Sequence, residues 1–332
     1  MLVLGIETSC DETAAALVED GRRALSDVIS TQAEIHRRWG GVVPELASRN
    51  HLVQVLPVIH EAVLRADRQI SDIDLIAATS GPGLLGALLV GVQVGKSLSA
   101  ALNLPFIGVN HLEGHLLAIR LTATAPEPPF VALVVSGGHT SLYDVSAIGN
   151  YRRLGATRDD AAGEAFDKVA KILGLPYPGG QQIDRLAQNG NPEAIRFPRA
   201  LSAPGVFDWS FSGLKTAVLQ HVRKNGIPSG RALEDLSASF QEAIADSLSK
   251  KLIAAARNLG RERILICGGV AANSRLRALA DERARYRELS LFVPPPNLCT
   301  DNAAMIAVAG YEAHKRGVRS DTSLNADAGW QL

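Results

Sequence analysis

The feature that most restricts the fold of this chain is a strand, polar turn and strand pattern that occurs twice. Apolar runs at 2–6 and 14–18 flank the polar turn 7–13, and the same order returns at 130–145 around a Ser-Gly-Gly-His-Thr turn. Short apolar runs interrupted by polar turns are typical of buried strands. We therefore predict an α/β protein that uses one motif twice.

The length of the chain predicts two lobes. Its 332 residues exceed the roughly 250–300 residues at which a single core stops growing. The proline-rich stretch 122–129 can neither continue a helix nor donate to a sheet ladder, so we place the boundary there. The predicted lobes are residues 1–125 with 298–332, and residues 126–297.

Glycine turns follow two of the predicted strands of the second lobe. Gly137 and Gly138 come after one strand, and Gly268-Gly269 comes between a strand at 264–267 and a helix at 274–285. Such turns leave backbone N–H groups accessible to an anionic oxygen such as a phosphate. Each turn on its own is equally typical of an ordinary hairpin or corner.

Two histidines, His111 and His115, lie four residues apart. On a helix this spacing places both imidazoles on one face, a turn apart, where they can bind one metal ion. The spacing alone leaves a second interpretation open, in which both histidines simply line a surface.

A third metal ligand is offered by Asp301, in the loop that leads from three prolines into a helix. We expect Thr300 or Asp301 near the N-cap of that helix, so Asp301 is either a capping residue or a ligand. A zinc protease is disfavoured, because the residue after the first histidine is Leu112 and not the glutamate of His-Glu-x-x-His. Glu113 would point away from the metal face.

Charge and cysteine content limit the partners and the compartment. Lysine and arginine balance aspartate and glutamate at 34 each, so nucleic acid would have to meet a local patch or be bound with help. Three widely spaced cysteines favour a reducing compartment, and we expect the cytoplasm. The uncharged stretch 75–95 is interrupted by Ser80-Gly81-Pro82-Gly83, so we predict a strand and a buried helix too short to cross a membrane.

Five motifs, in their order along the chain, resemble the bacterial tRNA threonylcarbamoyladenosine transferase family. They are Gly5-Ile6-Glu7-Thr8-Ser9-Cys10-Asp11-Glu12-Thr13, the segment from Gly40 to Arg49, Asn110-His111-Leu112-Glu113-Gly114-His115, Ser136-Gly137-Gly138-His139-Thr140 and the segment from Cys267 to Asn273. The resemblance implies an actin-like ATPase (ASKHA, duplicated ribonuclease H-like) fold with two lobes around a central cleft. It also implies transfer of a threonylcarbamoyl group from threonylcarbamoyl-AMP to the N6 amine of the adenosine just after the anticodon, with release of AMP.

The resemblance also implies a set of site residues. His111, His115 and Asp301 correspond to the ligands of one divalent metal ion, usually Fe(2+), although such a set also accepts Zn(2+) or Mg(2+). A tyrosine ligand of archaeal and eukaryotic relatives is replaced here by Val134, so that ligand is absent. The residues that correspond to substrate contacts are Val134, Val135, Ser136, Gly137, Gly138, Asp167, Gly180, Asp184 and Asn273.

Other residues are candidates for catalysis and for tRNA binding. Asp11 and Glu12, in the first polar turn, could orient or deprotonate the incoming amine, although paired acids on a turn are commonly just solvated. The stretches 36–39 and 151–153 place arginines beside aromatic residues, which suits tRNA. By resemblance, the protein partners are TsaB and TsaE, with TsaC supplying the adenylate, and no membrane is involved.

Three other functions compete with this one. An actin-like ATPase, or a small-molecule carbamoyltransferase or kinase, would use the same cleft. A noncatalytic scaffold is disfavoured by the complete set of His111, His115 and Asp301.

Overall fold

The computed structural model describes residues 1–332 and contains ten strands and ten α-helices. In chain order they are β1 (Leu2–Glu7), β2 (Glu12–Glu19), β3 (Arg23–Thr31), α1 (Ala33–Arg37), α2 (Pro44–Arg65), β4 (Leu75–Gly81), α3 (Leu85–Leu102), β5 (Phe106–Asn110), α4 (His111–Leu117), β6 (Phe130–Val135), β7 (Thr140–Ala147), β8 (Asn150–Ala156), α5 (Ala162–Ile172), α6 (Gly179–Ala187), α7 (Ser212–Asn225), α8 (Gly230–Asn258), β9 (Arg263–Cys267), α9 (Ser274–Tyr286), β10 (Ser290–Phe292) and α10 (Ala303–Lys315). Short 3-10 turns lie at Ile70–Asp72, Ala118–Leu121, Gly269–Ala272 and Pro296–Leu298.

The elements form two compact units. Unit 1 comprises Met1–Ala125 and Thr300–Leu332, and unit 2 comprises Pro126–Cys299. The chain leaves unit 1 within the proline-rich stretch and returns to it just before α10.

Unit 1 is built on a mixed sheet in the order β3-β2-β1-β4-β5. β1 is antiparallel to β2 and parallel to β4. Leu4 and Ile6 of β1 face a core shared with α2. Between them, Gly5 faces α10, and a side-chain carbon at Gly5 would lie only 2.2 Å from the carbonyl oxygen of Ala303. Gly5 therefore allows α10 to pack directly on β1.

Unit 2 repeats this topology. Its sheet has the order β10-β9-β6-β7-β8, with β6 antiparallel to β7 and parallel to β9. β6 thus occupies the position of β1, and the antiparallel pair β7 and β8 corresponds to β2 and β3. The prediction of one motif used twice is confirmed at the level of sheet topology.

The prediction about the uncharged stretch needs a correction. Its strand is present as β4, but the helix that follows is α3, with 18 residues, which is long and apolar enough to cross a membrane by length and composition alone. In the structure α3 packs against β4, and its Gly95 lies against Phe106 of β5. The absence of a side chain at Gly95 allows this close contact.

Candidate metal centre and active site

The candidate metal ligands are His111 and His115 of α4 and Asp301, which lies just before α10; all three belong to unit 1. Asn110 caps α4, since its side-chain oxygen accepts a hydrogen bond from the N–H of Leu112 at 2.9 Å. Gly114 lies between the two histidines and faces α10, where an added side-chain carbon would come within 2.8 Å of Ile306. The absence of a side chain at this position brings α4 against the helix that follows Asp301.

His111, His115 and Asp301 converge, and their potential ligand atoms all lie within 4.8 Å of one another. Asp301 Oδ1 is 3.2 Å from His115 Nε2 and 3.6 Å from His111 Nε2. Two donor atoms bound at about 2.1 Å to one ion are separated by about 3.0–3.6 Å at ordinary coordination angles. The two separations from Asp301 fit that range.

His115 gives a second indication that the site suits a metal. Its side chain is completely buried, yet neither ring nitrogen makes a hydrogen bond. An unsatisfied buried polar group costs about 1–3 kcal/mol. A metal ion bound at Nε2 would remove part of this cost, so the chemistry of the residues present fits a bound divalent ion.

Asp301 lies one residue before the N-cap of α10, as expected, but it does not itself cap the helix. The cap is Asn302, whose side-chain oxygen accepts from the N–H of Met305 at 2.8 Å. Asp27 of β3 binds the next free donor, the N–H of Ala303, at 3.2 Å. With the first turn of α10 satisfied by other residues, the carboxylate of Asp301 is directed to the histidines.

Glu7 is a functional candidate that the sequence reasoning missed. It is fully buried at the end of β1, and its Oε2 lies 3.0 Å from His111 Nδ1. The same oxygen accepts a hydrogen bond from Thr79 Oγ1 at 2.7 Å. This contact holds the imidazole of His111 so that Nε2 points towards Asp301. Metal-binding histidines commonly use their second nitrogen in this way.

The pKa values of Glu7 and His111 reflect both their burial and their contact with each other. Burial raises the pKa of Glu7, but the neighbouring His111 outweighs this and lowers the pKa overall. Burial lowers the pKa of His111, but the carboxylates of Glu7 and Asp301 raise it to about 9. Glu7 is therefore a carboxylate at neutral pH, and it favours positive charge at His111.

The polar turn after β1 carries Asp11 and Glu12. His51 of α2 supports this turn, because its Nε2 lies 2.9 Å from the carbonyl oxygen of Cys10 and its Nδ1 lies 2.8 Å from Thr13 Oγ1. Asp11 is buried. Burial, Asp11 and Asp301 together raise the pKa of Glu12 to about 10. Glu12 therefore keeps its proton at neutral pH.

Glu113 is oriented away from the candidate metal ligands, as expected. Its Oε1 lies 3.1 Å from Arg316 Nη2, beyond the end of α10. The thiol of Cys10 is half-buried, and burial with the charge of Asp11 holds its pKa well above the usual range. Neither side chain is placed as a nucleophile or as the base of a protease.

In unit 2 the turn between β6 and β7 has room for a ligand. The N–H of Ser136 donates to the carbonyl oxygen of His139 at 2.8 Å, which closes the turn. A side-chain carbon added at Gly137 or Gly138 would meet no atom within 4 Å, and neither residue has a positive φ. Packing and backbone conformation therefore do not require glycine at either position, whereas close approach of a ligand would.

The first turn of α5 does not offer its donors to an anion. The N–H groups of Gly163 and Glu164 bind the carbonyl oxygens of Ser136 and Gly137 at 3.2 and 3.1 Å. Val134 and Val135 have fully buried side chains within β6, and Val134 is paired on both sides in the sheet.

Asp184 and Asn273 are hydrogen-bonded to each other. Asp184 Oδ1 accepts from Asn273 Nδ2 at 3.2 Å and from Ser274 Oγ at 2.7 Å. Asn273 also donates to Gln241 Oε1 at 2.8 Å and caps α9 through Leu276. Asp184 lies within α6.

Asp167 and Gly180 lie at the junction of α5 and α6. Asp167 Oδ1 accepts a hydrogen bond from the N–H of Gly179 at 2.7 Å, which ties the two helices together. At Gly180 a side-chain carbon would meet only Phe166, at 3.8 Å. Gly180 is therefore a third position in unit 2 where packing leaves space.

The expected tRNA-binding stretches are only partly available. His36 is fully buried, whereas Trp39 is 56% exposed, with Arg38 5.6 Å from its ring centre. In the other stretch Arg152 is paired with Asp144 at 3.0 Å. The contribution of each stretch to a basic surface is smaller than its sequence implies.

Known structures share the fold of this chain. The crystal structure of component A of the Acidaminococcus fermentans (R)-2-hydroxyglutaryl-CoA dehydratase aligns with a TM-score of 0.55 at 15% identity, over 95% of this chain and 99% of that one. The crystal structure of T. kodakarensis HypF aligns with a TM-score of 0.61 at 13% identity, over 95% of this chain and 47% of that one. With the duplicated sheet topology, these matches define a protein of the actin-like ATPase fold.

Sequence comparisons identify the family within that fold. The family model described as TsaD, tRNA N6-adenosine threonylcarbamoyltransferase, matches residues 23–308. Curated proteins of the same name are 64% identical in Anaeromyxobacter dehalogenans (strain 2CP-C), over 99% of both chains, and 54% identical in Syntrophus aciditrophicus (strain SB), over 100% of this chain and 98% of that one. The chain therefore belongs to the TsaD family. It is a tRNA-modifying acyltransferase.

Proposed function

We propose that this chain transfers the threonylcarbamoyl group from threonylcarbamoyl-AMP to the N6 amine of the adenosine just after the anticodon, position 37, in tRNAs that read codons beginning with A. The bond between the carbamoyl carbon and the phosphate oxygen breaks, a new bond to N6 forms, and AMP leaves. The main observation in support is the convergence of His111, His115 and Asp301, with Glu7 behind His111.

We propose that these three side chains hold one divalent ion. When bound, such an ion supplies a Lewis acid and a template for oxygen atoms of the donor. Fe(2+) is the ion that the resemblance implies, and the two-histidine, one-carboxylate set also accepts Zn(2+) or Mg(2+). Glu7 is a positioning residue in this proposal, because it orients His111 and favours positive charge there.

Asp11 and Glu12 have different roles in the proposed reaction. Glu12 carries its proton at neutral pH, since burial and nearby carboxylates raise its pKa to about 10. It is therefore suited to donate a hydrogen bond to a substrate oxygen. Asp11 is the better candidate to accept a proton from the attacking amine. His51 orients both by holding the carbonyl of Cys10.

We propose that unit 2 binds the adenylate part of the donor. The open space at Gly137, Gly138 and Gly180 supports close approach of a ligand to the backbone. The carboxylate of Asp167 is within the same unit and is an acceptor able to hold a ribose hydroxyl. Asp184 and Asn273 support the site through their mutual hydrogen bond.

The partners of the reaction are part of the proposal. Besides tRNA, we expect TsaB and TsaE to assist, with TsaC supplying the adenylate, and we expect the reaction to take place in the cytoplasm. Leu52, Leu56 and Leu64 of α2 are each more than half exposed and lie along one face at helical spacing. An exposed apolar stripe of this kind supports a protein partner in unit 1.

One experiment separates this function from an actin-like ATPase. The chain is incubated with threonylcarbamoyl-AMP, ATP and an unmodified tRNA transcript, with and without the partner proteins; ATP consumption is followed, and the tRNA is digested for nucleoside analysis. We expect threonylcarbamoyladenosine and an equal amount of AMP. Consumption of ATP with no modified adenosine under any of these conditions would reject the proposal.

A further inference from the structure

The neutral charge of the chain conceals a difference between its two units. Unit 2 contains 22 lysines and arginines and 17 aspartates and glutamates, whereas unit 1 contains 12 and 17. The formal charges are therefore +5 for unit 2 and −5 for unit 1. A surface for a polyanion is expected on unit 2.

The excess charge of unit 2 is concentrated where the C-terminal part of α8 lies beside the end of α9. A groove of about 280 Å³, which we call the basic groove, is present there. It is lined by Lys250, Ile253, Ala254, Arg257, Arg283, Tyr286 and Arg287. Four of these seven residues are cationic and none is acidic.

The cations of the basic groove are only partly neutralised by the protein. Asp246 lies beneath them and is 7% exposed, and it is shared by Lys250, Arg283 and the nearby Arg199. One carboxylate thus faces three cations. The guanidinium groups of Arg257 and Arg287 are exposed and form no ion pair, so they add two further positive charges.

An exposed aromatic ring accompanies these charges. Tyr286 is 79% exposed, and the guanidinium of Arg287 lies 4.9 Å from its ring centre. An arginine beside a solvent-exposed ring is suited to a phosphate and a stacked base. A second groove, of about 800 Å³, shares Lys250 with the first and has a mixed lining, in which Arg196, Arg199 and Lys251 lie with Glu193, Glu242 and Asp246.

We propose that the basic groove binds the sugar-phosphate backbone of the tRNA substrate. This inference rests on the proposed function for the identity of the RNA. An acidic protein is the competing occupant. It is disfavoured because stable protein interfaces have an apolar centre, whereas Ile253 is buried and, apart from the small side chain of Ala254, the exposed residues of this groove are cationic or aromatic.

The test compares two double variants of the full chain. Arg257→Ala with Arg287→Ala removes the unpaired cations of the groove without breaking an ion pair. The matched control is Arg223→Ala with Lys224→Ala, two exposed and unpaired cations at the end of α7. Binding of an unmodified tRNA transcript is measured by filter binding between about 50 and 200 mM KCl.

We expect the groove variant to bind tRNA about 10-fold more weakly at the upper salt concentration and to lose about 1.5 from the slope of log K against log salt, since each phosphate contact contributes about 0.7–0.9. The control variant should bind like the wild type. Tyr286→Ala should weaken binding with an unchanged slope. Equal affinities and slopes for the wild type and the groove variant would overturn the proposal. So would unchanged tRNA binding with loss of binding to a partner protein.

The same samples separate this inference from the proposed function. Single-turnover transfer from threonylcarbamoyl-AMP is measured for the wild type at saturating tRNA. If the wild type modifies tRNA and the groove variant binds tRNA normally, the groove proposal fails and the function stands. If the groove variant loses tRNA binding but the wild type forms no modified adenosine, the groove proposal stands and the function fails.

Discussion

Replacing Glu7 by glutamine tests the support of the metal centre by a buried carboxylate. The substitution preserves the size of the side chain and removes its charge beside His111 Nδ1, 3.0 Å away. A hydrogen bond to a charged group contributes about 1.5–3 kcal/mol. Loss of such an outer contact lowers metal affinity by about 10- to 100-fold. At 1.4 kcal/mol per tenfold, the two ranges agree.

The assay is a competition titration of the metal-free chain with a divalent ion and a chelator of known affinity. Circular dichroism confirms that each variant is folded. Glu113→Gln is the matched control. Glu113 lies on α4 with the two histidines, but its carboxylate is paired with Arg316 and points away from the ligands. We expect Glu7→Gln to lose affinity and Glu113→Gln to keep it. Equal affinity for Glu7→Gln and the wild type, or equal losses in both variants, would refute the reasoning.

Three further predictions follow from the same structure. Burial raises the pKa of Asp27 from 3.8 to about 6. Between these pH values the folded state binds more protons than the unfolded state, so the stability of the wild type falls as the pH rises. The variant Asp27→Asn has no carboxyl group at this position and should not lose stability in this way. Its free energy of unfolding relative to wild type should rise by up to about 3 kcal/mol between pH 4 and pH 7 in urea titrations, and a constant difference would contradict the assignment. Gly114→Ala should lower the free energy of unfolding by about 1–2 kcal/mol and weaken metal binding, because the added methyl group would press α4 away from α10. The control is Gly213→Ala, which should not destabilise the chain, because a side-chain carbon added there would meet no atom within 4 Å. The rate of single-turnover transfer by Glu12→Gln should stay within about threefold of the wild-type rate, since Glu12 is already protonated. The rate for Asp11→Asn should be lower by about 100-fold or more. A large loss of rate in Glu12→Gln and none in Asp11→Asn would contradict the roles proposed for these two residues.

The strands and the histidine pair could be predicted because their signals are local. Apolar runs of four to six residues predicted β1, β6 and β9, and the four-residue spacing of His111 and His115 needs only one helical turn. Sheet order follows less directly, but the repetition of strand, polar turn and strand already indicated two similar halves. The structure agrees because local propensity and tertiary packing favour the same elements.

Contacts between distant residues explain what the sequence could not predict. Glu7 meets Thr79 and His111, which are 72 and 104 residues away. A charged residue at the end of an apolar strand was the available signal, but the sequence does not name its partner. Thr300, Asp301 and Asn302 are all capable caps, and the choice among them depends on how α10 meets Asp27.

The basic groove was hidden for a different reason. The total charge of zero averages over two units of opposite charge, and the boundary between them has to be known before the difference appears. Arg257 and Arg287 are 30 positions apart and meet only because α8 and α9 pack together.

The most direct test of the central claim is the amount of threonylcarbamoyladenosine formed in a single turnover by metal-depleted chain and by chain reloaded with Fe(2+) under anaerobic conditions. Threonylcarbamoyl-AMP, unmodified tRNA and the partner proteins are supplied in both reactions. We predict product only after reloading, and none from reloaded His115→Ala. Equal product from the metal-depleted wild type would contradict the assignment of His111, His115 and Asp301 as a metal centre that the transfer requires.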